Sequence, residues 1–287
     1  LITRLLLKYM QHEQRSRQWG VAVLVIILGL YSVKTISRNR AWKNDYTLFT
    51  TDVQTSYNSA KSTCSAGGKL LEKANTLKMP QEKQVLVDSA VNYLNQSLTI
   101  HPDYVDAMLL LGNAWYEKSN PAKSIHWYTE ILRLRPSHNL AIKNARIVLQ
   151  KSINLFHNKK SKVSPETFIK ACKDLDSVRP EIPETPHIIG VMYARYLGNI
   201  PKGIPYMKES LERKRDNIDV WKDLGVAYGM IKKYEEALNC FEEAWKLNEK
   251  DPQVAFNLSV THRQLGNMQE AQNYYSIHQR LKNTSGN

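Results

Sequence analysis

The chain has 287 residues, more than a single compact core usually absorbs, so it needs several domains or an architecture that grows by stacking. A formal charge of +13 raises the question of nucleic acid, yet the basic residues are dispersed, with no Arg-rich arm and no nucleic-acid motif, which argues against that partner. Cys64, Cys172 and Cys240 lie far apart, without the paired spacing of a zinc or redox site; they read as buried small hydrophobes, so neither a disulfide framework nor a metal is expected.

From the N-terminus, residues 1–18 form a basic, membrane-proximal segment carrying Arg4, Lys8, Arg15 and Arg17. Beginning at Leu1 without an initiator Met, the chain reads as a fragment or processed piece. Trp19 to Val33 is free of charge, and residues 19–36 are read as a transmembrane helix. The uncharged run is short against the ~20 residues a span needs, but Trp19 and Tyr31 suit the interfaces, and Lys34, Arg38, Arg40 and Lys43 suit lipid head groups. A core helix packed on the rest of the chain is the competing reading; a signal peptide is disfavoured because no small-residue cleavage site follows Tyr31. Residues 37–57 form a linker, in which Asp45 to Tyr57 reads as an amphipathic helix with Leu48, Phe49 and Val53 on one face.

The rest divides into helix pairs. Residues 58–102 place one helix at Ala60 to Leu71 and another at Val85 to Leu98, with an insertion from Lys78 to Lys83 between them. In 105–136, Leu111, Gly112 and Trp115 mark the first helix and Ser124 and Tyr128 the second; Gly112 and Ser124 allow close approach, while Trp115 and Tyr128 fill the space between neighbouring pairs. Residues 139–180 are degenerate, with a basic loop from His157 to Val163, then Ser164 as cap and Pro165 in the first turn. Residues 183–217 carry Gly190 and Tyr193, with one extra residue assigned to Pro201. In 218–251, Trp221, Leu224, Gly225, Tyr228, Ala237, Phe241 and Ala244 reappear 34 residues later, in 252–282, as Ala255, Leu258, Ser259, His262, Ala271, Tyr275 and His278. That period is the signature of the tetratricopeptide repeat, whose helix pairs stack because one pair cannot bury its apolar face alone. The expected fold is all-α, a superhelical solenoid of about six pairs spanning 58–282 behind one transmembrane helix, with 283–287 a frayed tail.

A second resemblance lies at the junction. The apolar segment followed by Ser37-Arg38-Asn39-Arg40-Ala41-Trp42-Lys43-Asn44 and Leu48-Phe49 resembles the exit from the membrane core in the transmembrane and tetratricopeptide repeat-containing O-mannosyltransferases and related bacterial glycosyltransferases. This resemblance covers about forty residues. It implies repeats outside the cytoplasm, in the lumen or periplasm, where Asn95, Asn257 and Asn283 open nominal glycosylation sequons. The catalytic part of such enzymes precedes the junction, so no catalytic residue is carried over.

No nucleophile beside a base, phosphate loop or helical metal-ligand pair stands out, so this chain is read as non-enzymatic, without cofactor or metal. The first helix of each pair is expected to line a concave groove for an extended peptide, with Asn113, His187, Arg195, Lys222, Asn257 and Arg263 projecting from it. Arg and Lys suit acidic groups and Asn a peptide backbone. Two functional readings follow: the protein-recruiting C-terminal part of a larger integral-membrane glycosyltransferase, or a stand-alone single-span adapter that assembles a membrane complex. Both take protein partners and membrane lipid, and neither takes nucleic acid.

Overall fold

The structure, a computed structural model, describes residues 2–284; among them are fourteen α-helices and no strand. Helix α1 (Ile2–Asn39) runs without a break through the apolar segment. Its residues 18–39 are exposed and none packs on the array, so the core-helix alternative is not what the chain adopts. Gln18–Lys43, of mean hydropathy 2.0, is long and apolar enough to cross a membrane. A 3₁₀ turn, Arg40–Lys43, leads into α2 (Asp45–Asp52), where Asn44 accepts from the Thr47 amide and the Thr47 hydroxyl reciprocates at the Asn44 amide. The linker helix is shorter than the sequence pattern suggests: the Thr55 and Ser56 hydroxyls donate to the Asp52 carbonyl and turn the chain there. Arg38 reaches Asp52 at 3.7 Å, and Val53 is fully buried.

Six successive pairs follow: α3 (Ala60–Asn75) with α4 (Pro80–Ile100), α5 (Val105–Glu117) with α6 (Pro121–Leu134), α7 (Asn139–His157) with α8 (Pro165–Val178), α9 (Glu184–Val191) with α10 (Ile200–Arg213), α11 (Ile218–Met230) with α12 (Tyr234–Leu247), and α13 (Pro252–Gln264) with α14 (Met268–Thr284). Of the Lys78–Lys83 insertion, Lys78 and Met79 lie between the helices and Pro80 to Lys83 form the first turn of α4. Of the tail, Asn283 and Thr284 still belong to α14, and 285–287 lie outside the described residues.

Within a pair, a small residue on the first helix faces a large one on the second. The Gly112 backbone lies against the Tyr128 ring, and a Cβ on Gly225 would sit 2.6 Å from Phe241. Tyr128 and Phe241 are therefore buried inside their own pairs, not between neighbours as expected, whereas half-buried Trp115 takes Lys123 over its ring face at 3.9 Å. Ser124 Oγ donates to the Gly112 carbonyl at 2.7 Å, tying the crossing. Three residues after the large one, a polar side chain bonds the carbonyl that opens the first helix: Ser97 to Ala60 (2.8 Å), Ser210 to Pro183 (2.7 Å) and His278 to Pro252 (2.7 Å). Each adds a further bond at a carbonyl near the start of the first helix and so ties the two helices together.

The third pair departs from this scheme for a readable reason. Arg146 stands where Gly112 and Gly225 stand in their helices, so α8 cannot close onto α7 and packs mainly on α6. Cys172, where Tyr128 and Phe241 stand in theirs, is fully buried, and Phe156 and Phe168 bridge the two helices with ring centroids 5.5 Å apart. Ser164 accepts from the Thr167 amide as its cap.

The extra residue of the fourth pair is not at Pro201. Gly190 precedes the cap Asn199 by nine positions, where Gly112 to Asn120 and Gly225 to Lys233 are eight apart. The surplus is absorbed in a π turn, Met192–Tyr196, which widens the end of α9. Pro201 is an ordinary first-turn proline of α10.

The turns inside the pairs require positive φ just before the cap, at Ser119 (57°), Gly198 (65°), Lys232 (63°) and Gly266 (84°). Glycine adopts this freely; serine and lysine do so at a cost of about 1–2 kcal/mol. Lys232→Gly is therefore expected to raise stability by about 0.5–1 kcal/mol in urea unfolding. Gly225→Leu, which drives side-chain atoms into Phe241, is expected to lower it by roughly 1–3 kcal/mol or more.

Candidate binding surface

The first helices of successive pairs surround two cavities. One, of about 430 Å³, is lined by Gly68, Leu71, Glu72 and Asn75 of α3, by Leu110, Asn113, Tyr116 and Glu117 of α5, by Tyr128, and by Asn144, Ile147 and Val148 of α7. Asn113 and Asn144 meet there, Asn144 Nδ2 donating to Asn113 Oδ1 at 3.1 Å, while the Tyr128 hydroxyl donates to the same oxygen at 2.7 Å. Two donors on one amide oxygen fix its orientation and leave the Asn113 NH₂ for other acceptors. Burial pushes the Tyr128 pKa up to about 12, so its hydroxyl keeps its proton.

The second cavity, of about 470 Å³, lies among α7, α9 and α11 and is lined by Gln150, Ile153, Glu184, His187, Arg195 and Lys222, among others. The expected groove cations are here, and each is already paired. His187 Nε2 lies 2.8 Å from one oxygen of Asp223, and Arg195 donates to the other at 3.0 Å. The π turn is what carries Arg195 round to α11, and Tyr196 from the same turn donates to the Ile153 carbonyl at 3.1 Å. Lys222 pairs with Asp219 at 3.2 Å and Asp251 at 3.1 Å. Burial works against the Lys222 charge, but the hydrogen bonds it donates to Asp251 and Asp219 hold its pKa above the usual lysine value. Burial likewise opposes the Asp251 carboxylate, yet Lys222 and the amides of Val254 and Gln253 hold its pKa below the usual aspartate value.

Asn257 and Arg263 do not join either cavity. Asn257 accepts from Gln253 Nε2 at 3.0 Å along α13, and Arg263 is exposed without an ion pair among the described residues. Sequence reading missed Asn144 and Asp223. The available signal was a polar residue on the next first helix, 31 residues after Asn113 and 36 after His187, at positions that the repeat period does not align with them.

Other chemistry is closed off. Burial raises the thiol pKa of Cys64 to about 11 and of Cys240 to about 12, and raises that of fully buried Cys172 as well, so none supplies a thiolate. His126, Glu130 and Asp174 converge on the outer face, but the Arg133 guanidinium bridges both carboxylates and takes the place a cation would need. The sequon serines Ser97 and Ser259 are buried, and Ser285 lies outside the described residues.

The depressed Asp251 pKa sets a pH dependence. Its contribution to stability is complete above the unfolded-state value, about 3.9, and is lost as pH falls through the lower folded value. Lys222→Met is expected to lower stability at neutral pH and to shrink that acid-side loss, read by urea midpoints between neutral pH and pH 2 or so.

Residues 86–139 and 231–285 match the tetratricopeptide repeat family. Among curated proteins, the chain is 23% identical over 258 residues to Protein O-mannosyl-transferase TMTC3 of Homo sapiens, an alignment covering 88% of this chain and 27% of that protein. It is 24% identical over 257 residues to the Mus musculus protein of the same name, covering 88% and 26%. The chain thus spans about a quarter of the length of the curated relatives it matches. Solved structures of similar fold include MamA (14% identity, 64% of this chain and 95% of that chain, TM-score 0.49) and YrrB, a TPR protein with an unusual peptide-binding site (15%, 70% and 92%, TM-score 0.43). Period, helix pairing and sequence match agree, and the chain carries tetratricopeptide repeats, folded as an all-α solenoid that serves as a protein-interaction domain.

Proposed function

We propose that this chain is the membrane-anchored, protein-recruiting part of a larger integral-membrane glycosyltransferase, in which α1 spans the bilayer and the inner face of the repeats holds protein substrates or partners outside the cytoplasm. The observation that carries the anchoring is the exposed apolar stretch Gln18–Lys43, continuous with a capped linker that packs on the first repeat. A helix that leaves its apolar side chains unpacked by protein needs lipid around them. The glycosyltransferase link is supported by the alignment with O-mannosyl-transferases over 88% of the chain. Non-enzymatic by itself, the domain would supply position and local concentration of acceptor protein.

The inner face suits an extended polypeptide. Asn113, Asn144 and Asn75 present amides to a main chain in the first cavity, and in the second the paired charges of Arg195, Lys222, Asp219 and Asp223 offer either sign at an exchange cost. Lys222→Glu is a poor probe here, because it would set a third carboxylate beside Asp219 and Asp251 and destabilise the array.

The expected behaviour is retention of the chain in membranes after carbonate washing and its release on deletion of residues 1–43; release of the intact chain would refute the span. A photo-crosslinking amino acid at Asn144 is expected to capture protein partners that the same group at Glu242, on an outer helix, does not. Equal capture from both faces would remove the inner groove as the site. A native polypeptide with several further spans upstream would identify the enzyme, and a start close to Leu1 would leave a single-span adapter.

A further inference from the structure

The turns inside the pairs form one edge of the solenoid, and the loops between pairs form the other. Charge is treated differently on the two. On the between-pair edge acids accompany the cations: Arg133 pairs with Asp174 and Glu130, Arg179 with Glu181 and Arg213 with Asp176 and Glu209, and beside Lys61, Arg135, Lys214 and Lys250, exposed without an ion pair, stand Asp103, Asp106, Asp216 and Glu249, equally exposed. On the inner-turn edge of the first four pairs, Lys73, Lys78, Lys159, Lys160, Lys162 and Lys202 are exposed, and none forms an ion pair among the described residues. The acids that might have neutralised them are taken: Lys83 holds Glu117, and Lys118 holds Asp88. Against the six lysines stand two exposed carboxylates without an ion pair, Glu82 and Glu166.

The band is built by the fold. The Lys162 amide donates to the Ser119 carbonyl at 2.9 Å, which holds the basic loop of the third pair against the turn of the second. The left-handed conformation of Lys159 belongs to the same loop. Outside, the band continues into a cavity of about 600 Å³ between α6 and α8, lined in part by Lys123, Lys170 and Lys173. Like charges gathered this way repel one another and destabilise the free array unless an anionic surface meets them.

Its position selects that surface. The chain leaves the apolar stretch at Lys43, and Asn44, Asp45 and Tyr46 pack immediately against Lys69, Glu72, Lys73 and Thr76 at the last turn of α3, with Asp45 bonded to Lys69 at 2.9 Å. The first lysine of the band therefore lies beside the end of the candidate span. We infer that the inner-turn edge of the solenoid is a docking surface for an anionic lipid bilayer, which lays the array along the membrane and leaves the opposite, charge-paired edge turned away. The inference rests on α1 spanning the membrane. Lipid phosphates and carboxylates would replace missing counter-ions along a band several pairs long, an attraction that salt weakens.

The test uses the full chain in proteoliposomes of phosphatidylcholine, alone or mixed with phosphatidylserine, that contain an acceptor-labelled lipid. Cys64, Cys172 and Cys240 are buried, so a donor dye goes to an introduced thiol, Asn158→Cys on the basic edge or Asp216→Cys on the other. Stronger energy transfer from position 158 than from 216 is expected with phosphatidylserine. The difference should be lost in high salt, in phosphatidylcholine alone, and in a Lys159→Glu, Lys160→Glu, Lys162→Glu variant that keeps its helical circular dichroism. Equal transfer from both positions, or transfer indifferent to lipid charge, overturns the inference. So does capture of soluble polyglutamate by the band without any lipid response. If carbonate strips the chain from the vesicles, the span itself has failed; retention with equal transfer leaves the span standing and removes only the docking edge.

Discussion

At the crossing of four of the six pairs the first helix offers a glycine and the second a bulky side chain, and the distance between the two helices follows from that contact. A Cβ on Gly190 would lie 2.7 Å from Met207 and 2.9 Å from the Gly203 carbonyl, and one on Gly67 would lie 2.7 Å from Leu94. Such contacts bring the helices close enough for Ser124 to reach the Gly112 carbonyl and for Ser97 and Ser210 to bond the opposite helix. The core then passes from pair to pair through partly buried side chains that touch two clusters, such as Trp127, Ile153 and Tyr196. A solenoid stabilised by neighbours in this way spreads a local loosening only to the adjoining pairs.

Two irregularities of the array, one in the third pair and one in the fourth, lie next to each other and beside the second inner cavity. Arg146 replaces the glycine in the third pair, and its guanidinium, freed from any crossing, reaches the buried Glu184 of α9 at 2.6 Å. The π turn of the fourth pair then swings Arg195 onto Asp223 and Tyr196 onto the α7 backbone. Loss of regular packing at 139–196 is thus exchanged for a polar network joining α7, α9 and α11. Pairs five and six return to the 34-residue period, with no π turn among the described residues.

How much of this the sequence disclosed depended on whether a feature repeats. Gly225 with Phe241, and Leu258 with Tyr275, are read from their 34-residue spacing because the same packing problem is solved again in each pair. The helix start at Pro165 was legible from its proline and the cap Ser164, and the starts at Ile218 and Pro252 from the period. What was not legible is what happens once. The surplus residue before Asn199 looked like an insertion at Pro201, because spacing between glycines counts residues without locating them. Asp223 gave no sign of joining His187 and Arg195, since that depends on a widened turn which no local propensity announces.

The same distinction bears on the charges. Read along the chain, the excess of lysine looks dispersed; sorted by the two edges of the solenoid, it lies beside acids on one and largely without them on the other. Arginines that bond carboxylates bidentately, as Arg213 does with Asp176 at 2.6 and 3.0 Å, tie loops to helices and are spent on the fold. Lysines left without a carboxylate add repulsion, and on the edge where the chain emerges from its apolar helix few acids stand near them to offset it. A bilayer surface would both neutralise the band and restrict how the array can turn about the junction at Asn44, fixing which way the inner groove faces.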